Sequence, residues 1–398
     1  MKNLYERAKK VSSPVLGRYF PGFEIRSAKG CYLTGGSGKK YLDFSSGIAV
    51  ATTGHTHPKV VAAAQKQTAK LIHICIGVAE YEPYVVLAEK LSKIVPFKNG
   101  QFFFCQSGSE AVEAALKLAK YVTKKPGLVA LRGAFHGRTM GALSLTTSKM
   151  KYRYGYEPLL PKVYIAKPDL KSVEKLLRTK NVAALILEPI MGEGGYIQLS
   201  KALIKGIRQL CTKYKALMIV DEIQSGIGRT GKWFAIDHYG VRPDIICMAK
   251  GLASGFPLAG IAAPAKIMKN WSPGSHGGTF GGNPVCCAAA IATIEVIKQG
   301  KLLRNASRMG SYMKKALEKL RIKYPVIKDV RGIGLMIGVD FKEAALVSQI
   351  MNYCLKHGLI LIPTGGGGTV MRFVPPLIVN KAQIDQALKI FERALSNV

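Results

Sequence analysis

Acidic residues are scarce in this chain: 24 Asp and Glu stand against 58 Lys and Arg, so its 398 residues carry a formal charge of +34. A run of about 18 apolar residues, enough to span a bilayer, is absent, and the opening MKNLYERAKKVSSP lacks the apolar segment of a signal peptide. A cytoplasmic protein with no membrane partner is expected. The eight cysteines include no CxxC pair, and several sit inside apolar runs, which points to reduced core thiols rather than a disulfide framework or a zinc site. There is no internal repeat, and no low-complexity tract is longer than Gly365 to Gly368.

The basic excess taken alone suggests an anionic partner. The lysines are nevertheless scattered singly along helix-like segments such as KLAKYVTKK and KSVEKLLRTK, without an arginine-rich tail or an aromatic platform. A solvated surface accounts for them, and no specific nucleic-acid partner is expected. Hydrophobic residues at 48% and charged residues at 21% are those of a globular protein. A chain of this length predicts roughly two or three lobes, with about three quarters of its unfolded surface buried.

From about residue 100 short β-rich runs alternate with amphipathic stretches: QFFFC then SEAVEAALKLAKYV, LVALR, KVYIA, AALILE then SKALIKGIRQLCTKY, LMIVDE, DIICMA and LAGIAA. This alternation predicts an α/β fold with a mainly parallel sheet covered on both faces, its active site beyond the strands' carboxyl ends. Before residue 55 and after about residue 290 the texture changes to hairpin-like and helical pieces. The expected division is therefore 1–55 and 291–398 as parts of a smaller α+β domain, with 56–290 as the large domain. GGSGKK at Gly35 to Lys40 fails as a phosphate loop, because its first glycine is misplaced and no Ser or Thr follows the lysine. GHTHP spaces two histidines like metal ligands but has no third ligand, so a structural turn and no metal are expected.

Three strand ends carry unusual polar groups. Ser107-Gly108-Ser109 lies between an apolar strand and a helix, where free backbone N–H groups and the helix start suit a phosphate, although a serine there also serves as a plain helix cap. LMIVDE ends in Asp221-Glu222, a carboxylate pair that is expensive to bury unless something positive meets it. DIICMAKG presents Lys250 after an apolar strand, and a desolvated lysine has the lowered pKa that makes an amine nucleophilic near neutrality. Phosphate turn, strand-tip acid and buried lysine together describe a pyridoxal 5'-phosphate site, with the lysine joined to the aldehyde and the acid keeping the pyridine nitrogen protonated.

With these motifs in this order, from about Gly38 to Leu377, the sequence resembles the class III pyridoxal-phosphate aminotransferases, the group of the 4-aminobutyrate, acetylornithine and ornithine enzymes. The resemblance implies a fold type I transferase, with a mainly parallel seven-stranded sheet, helices on both faces and a smaller domain built from the two chain ends. In GKKYLDFSSGIAVATTGHTHP it sets Ile48 beside the substrate. SGSEA gives Gly108 and Ser109 the phosphate, and GAFHGRT gives Phe135 stacked on the cofactor ring with His136 supporting it; read without the family, these are a core ring and a satisfied polar residue. ILEPIMGEGG supplies Glu188 and Glu193. DEIQSGIGRTGKWF supplies Asp221 for the pyridine nitrogen and Gln224 for the ring hydroxyl. AKG supplies Lys250, and HGGTFGGNP supplies Thr279, which in the family reaches the phosphate of the neighbouring subunit. A homodimer with shared active sites is thus implied, with the pairing of dimers into tetramers left open. Gln106, where the family commonly has Asn or Thr, and the four-glycine run before Thr369 depart from the pattern.

The implied activity is transamination between an amino-acid donor and a 2-oxo acid acceptor. One pocket must then accept two substrates, and arginine forks bind carboxylates bidentately. Arg138 is expected on the carboxylate far from the reacting amine and Arg372 on the α-carboxylate of glutamate or 2-oxoglutarate. The resemblance suggests that Glu193 masks Arg372 when the donor has no α-carboxylate. ASGFPL, RTGKWF and YRYGYEPLLPKVY are similar to the 4-aminobutyrate enzymes, which convert an ω-amino acid to a semialdehyde while 2-oxoglutarate becomes glutamate. The short chain is more like the acetylornithine and ornithine enzymes of arginine or lysine biosynthesis, the alternative reading. Outside enzymes, the rival is a basic protein that uses a degenerate transferase fold to bind nucleic acid.

Overall fold

The computed structural model describes residues 4–398. At its centre lie seven strands, β1 (Gly100–Cys105), β2 (Gly127–Leu131), β3 (Val163–Ala166), β4 (Val182–Leu187), β5 (Leu217–Asp221), β6 (Ile245–Met248) and β7 (Ala259–Pro264), in the spatial order β1-β7-β6-β5-β4-β2-β3. All run parallel except β7, which is antiparallel to both neighbours. The inner strands are continuous apolar runs because helices cover both faces: every residue of GLVAL in β2 and VAALIL in β4 is buried. Each buried leucine or isoleucine there contributes roughly 1.5–3 kcal/mol relative to an exposed one.

The helix Gly108–Thr123 shows how these layers close. Ser107 caps it by accepting the Glu110 N–H, while the Glu110 carboxylate accepts the Ser107 N–H. Its buried face is rich in alanine (Ala111, Ala114, Ala115, Ala119), which lets it lie close against the sheet. It ends at Lys124 in the left-handed region, two residues before Pro126.

The two chain ends meet in smaller sheets. Ile25–Lys29, Tyr32–Gly35 and Lys40–Asp43 form an antiparallel meander that Leu359–Ile360 extends in parallel, and the hairpin-like texture before residue 55 is the hairpin of GCYLTGGSGKKYLDF. A second four-stranded sheet joins Ile327–Ile333, Met336–Phe341, Val370–Phe373 and Ile362–Thr364, and Arg372 sits on an inner strand of it, opposite Gly338 and Ile362. Residue 290, expected as a boundary, lies inside the helix Pro284–Gln299. Seven of the eight cysteines are buried and all are free. His55 of GHTHP lies with its Nε2 2.7 Å from the accepting Asp43 Oδ2, as part of a turn. Among the described residues no helix is long and apolar enough to cross a membrane.

Candidate active site

The carboxyl ends of the parallel strands converge on a cavity of about 330 Å³, lined among others by Gly108, Ser109, Phe135, His136, Glu188, Asp221, Gln224 and Lys250. Eight of the sequence-predicted residues, delivered by five different strands, are therefore brought together. The antiparallel β7 enters at the same end, which puts Gly255 to Leu258 on the rim.

Each wall is built from local structure. After β1 the chain turns into the capped helix, leaving Gly108 and Ser109 at its start. Gly137 passes Ser109 so closely, at φ +135°, that a Cβ there would stand 2.4 Å from the Ser109 Oγ, and the next N–H, of Arg138, donates to that oxygen at 3.1 Å. After β2 the loop sets His136 fully inside, its Nδ1 2.8 Å from the Asp221 Oδ2, while Asp221 Oδ1 accepts the Ile223 N–H. Glu188, at the end of β4, accepts the Phe135 N–H at 2.8 Å and the Gly192 N–H at 2.9 Å, tying two loops together. Burial pushes its carboxyl up to about 7; the His136 charge opposes this and Asp221 adds to it.

Lys250 follows β6 with φ +43°, a left-handed conformation rare for a side chain this long, and begins a short 3₁₀ turn. Burial lowers its ammonium below the ordinary lysine range, although Asp221, Glu193 and Glu188 pull the other way. Two polar atoms on the cavity residues, His136 Nε2 and Gln224 Oε1, are buried without a hydrogen-bond partner. Unpartnered buried polar atoms are uncommon in folded proteins and here call for a polar occupant. Asp221 beside them suits a protonated nitrogen, Phe135 offers a ring face, and the helix start at Gly108 and Ser109 suits a phosphate. These residues fit pyridoxal phosphate.

A second cavity, of about 750 Å³, borders the first where Gly137 gives way to Arg138. Ile48 and Arg138 line it, as does Lys149. Ile48 is held in a left-handed turn from Ser46 to Ala49, with φ between +48° and +67° at each residue. For a β-branched residue that backbone costs of order 1–3 kcal/mol, and its surroundings hold it there. Asp43 accepts three hydrogen bonds from Ser45 and Ser46, and the Ser46 hydroxyl donates to the Val374 carbonyl. Arg138 lies 4.5 Å above the Tyr152 ring, which in turn meets Phe135 edge-on at 5.6 Å.

Arg372 is fully buried. Its Nη1 donates to Glu193 Oε1 at 2.6 Å, and its Nη2 donates to the Tyr19 hydroxyl and to the Pro363 carbonyl. Burial alone would lower the guanidinium, but Glu193, Tyr196 and Tyr19 together hold it above its ordinary value; burial likewise raises Glu193, and Arg372, Lys149 and Lys250 together bring it below its ordinary value. Glu193, Arg372 and Thr279 line neither cavity, and Thr279 differs from the other two in being exposed. Tyr19, Lys149 and Tyr152 were not expected. Tyr19 has no sequence signal, whereas the basic and aromatic run KMKYRYGY around Tyr152 was a usable one.

The class III aminotransferase family matches residues 17–395. The chain is 41% identical to the 5-aminovalerate aminotransferase DavT of Pseudomonas putida, covering 96% of this chain and 95% of that one. It is 43% identical to the acetylornithine aminotransferase of Archaeoglobus fulgidus (92% and 94%) and 38% identical to the 4-aminobutyrate aminotransferase GabT of Escherichia coli (98% and 97%). Among solved structures it superimposes on the ornithine aminotransferase of Toxoplasma gondii with a TM-score of 0.93 and 29% identity, over 99% of this chain and 94% of that one. A lysine, an acid and a capped helix start at converging strand ends thus occur within a match that spans almost the whole chain, and the protein belongs to the class III aminotransferases, fold type I enzymes that use pyridoxal phosphate.

Proposed function

We propose that this enzyme moves the amino group of an ω-amino acid of the 4-aminobutyrate type to 2-oxoglutarate, giving glutamate and a semialdehyde. The observation that carries this reading is the 2.6 Å pair between Glu193 and the fully buried Arg372. A donor without an α-carboxylate has nothing to offer Arg372, and an unpaired arginine at that depth would be strongly unfavourable. Glu193 fills the gap, and glutamate or 2-oxoglutarate displaces it with its own α-carboxylate. Arg138 takes the carboxylate at the far end of either substrate, and Ile48 flanks the chain between.

When bound, the cofactor supplies an aldehyde that takes up the donor's nitrogen and a pyridinium ring that draws electrons from the adjacent carbon. Asp221, oriented by His136, holds the negative charge that keeps the ring nitrogen protonated. Gln224 serves the ring hydroxyl, Phe135 the ring face, and Gly108 and Ser109 the phosphate, with Glu188 fixing the loop that carries Phe135. Lys250 would be the covalent anchor; once displaced, its Nζ would take the proton from the carbon bearing nitrogen and return it to the carbon on the other side of that nitrogen, two atoms away. Its lowered pKa keeps more of the free amine available near neutral pH. Thr279, exposed in one subunit, would complete the phosphate site of a second, making the unit a homodimer, and the two chain ends, 1–55 and 291–398, would form the smaller domain.

The 43% identity to an acetylornithine enzyme supports a second reading, in which the donor is acetylornithine or ornithine. Half-reactions followed through the cofactor spectrum, against 4-aminobutyrate, 5-aminovalerate, acetylornithine and ornithine, separate the two. The expected order places the ω-amino acids first by kcat/KM; acetylornithine ahead of both would refute the proposal.

A further inference from the structure

The residues that line the second cavity include four cations, Arg18 among them, and no acid. Arg138 and Lys151 line it with Lys149, Arg372 lies behind, and Glu193 is the carboxylate that meets Arg372 and Lys149. Glu193 Oε1 is 2.6 Å from Arg372 Nη1, whereas its other oxygen, Oε2, is 3.9 Å from Lys149 Nζ, within ion-pair range but beyond a hydrogen bond. The lysine is enclosed, its side chain only 16% exposed. Burial lowers its ammonium, and of the charges acting on it Glu193 favours the ammonium while Arg372, Lys151 and Arg138 oppose it.

The charges match differently in the two half-reactions. An ω-amino acid brings one carboxylate: Arg138 takes it, Arg372 keeps Glu193, and Lys149 stays 3.9 Å from Glu193, paired by charge but without a hydrogen bond. A 2-oxo diacid brings two: Arg138 takes one, Arg372 the other, and Glu193 is expelled while still buried. A carboxylate with 11% side-chain exposure needs a counter-charge there. Arg372 does not move to provide one, because its Nη2 is fixed by the Tyr19 hydroxyl and the Pro363 carbonyl. The backbone of Glu193 is likewise tied, its carbonyl accepting the Gly365 N–H. A rotation of the side chain toward Lys149 is the short path.

We propose that Lys149 is a positioning residue that receives the Glu193 carboxylate whenever a substrate's α-carboxylate occupies Arg372, so that Glu193 shuttles between two cations and Lys149 favours the dicarboxylate half-reaction. This rests on the reading of Glu193 as the mask of Arg372, and Glu193→Gln alone reports on that reading: equal losses in both half-reactions would deny the mask, whatever Lys149 does.

The test compares Lys149→Met, Lys149→Arg, Glu193→Gln and the Lys149→Met/Glu193→Gln double variant as holoenzymes. Three quantities are read: KM and kcat of each half-reaction, and the Kd of glutarate, an unreactive dicarboxylate, by titration calorimetry. Lys149→Met is expected to raise KM for 2-oxoglutarate and Kd for glutarate about tenfold more than it raises KM for 4-aminobutyrate, the scale of one charged contact. Lys149→Arg restores most of this, and in the Glu193→Gln background Lys149→Met adds little, since no carboxylate is left to receive. An equal loss in both half-reactions would overturn the proposal by making Lys149 a binder of the shared distal carboxylate. A full-sized loss persisting in the Glu193→Gln background, or no loss at all, would overturn it as well.

Discussion

Gly137 offers a sharp probe of the proposed phosphate turn, because one added methyl group acts on two neighbours, Ser109 and Ala142. The residue lies at φ +135°, where an L side chain is strained by about 1–3 kcal/mol. A Cβ would stand 2.4 Å from Ser109 Oγ and 2.9 Å from the Ala142 Cβ, so Ser109 must move. Its movement breaks the hydrogen bond from the Arg138 N–H to Ser109 Oγ, a further ~1 kcal/mol. Together Gly137→Ala is expected to cost roughly 2–4 kcal/mol, shared between global stability and the geometry of the turn. If half of it falls on the turn, cofactor affinity drops about five- to thirtyfold. The assay is fluorescence titration of the apoenzyme with pyridoxal phosphate, with thermal unfolding of the same apoprotein alongside. Removing the Ser109 hydroxyl should relieve part of the clash, so Ser109→Ala and Gly137→Ala should combine less than additively. Unchanged affinity in Gly137→Ala, or strict additivity in the pair, would refute the claim that Ser109 is held by this loop for the phosphate.

Three further perturbations address other parts of the molecule. Lys250→Ala is expected to abolish the visible absorbance of lysine-bound cofactor and to lower turnover at least about a hundredfold, the lower end of what a positioned base contributes; retained absorbance would show another amine as the anchor. Glu222, fully buried, is pushed up to about 7 by burial, against hydrogen bonds from Ser225, Ala235 and Ile236. A raised acid pKa means the folded state binds the extra proton, so this group's contribution is most favourable below the ordinary value near 4.5 and is lost as pH rises through about 7. Glu222→Gln should remove up to ~3 kcal/mol of that decline when urea denaturation near pH 5 is compared with pH 8, and an unchanged decline would exonerate Glu222. Thr279→Ala should weaken cofactor binding although Thr279 lines neither cavity of its own subunit, and co-expression with Lys250→Ala should rebuild one intact site per mixed dimer, with about a quarter of wild-type activity by random pairing; no recovery would place Thr279 outside the partner's site.

The residues that sequence alone revealed share a local signal. Lys250 and Asp221 stand out because each ends an apolar strand, where a charge is conspicuous, and the capping pattern of Ser107 and Glu110 announces the helix behind the phosphate turn. Strand direction left no such trace: LAGIAA reads like its neighbours, yet β7 is antiparallel, since an apolar run buried on both faces looks the same in either sense. The Glu193–Arg372 pair lies 179 residues apart in sequence and became an expectation through family resemblance alone. Arg229 was missed altogether. It is fully buried, its guanidinium donating to the carbonyls of Leu335 and Pro375, but it sits among glycine and threonine in GIGRTGKW, a context that reads as an exposed turn. Ile48 shows the same limit from the other side, since a β-branched residue has no intrinsic preference for φ +67° and only Asp43, Ser46 and Val374, gathered by the chain ends, impose it. The chemistry at this site therefore comes from strand ends that short stretches encode. Under the proposed function, substrate choice comes from contacts between the chain ends and the central sheet, formed only after distant segments pack, and for that reason substitutions at Tyr19, Lys149 or Pro363 should alter substrate preference without disturbing the cofactor.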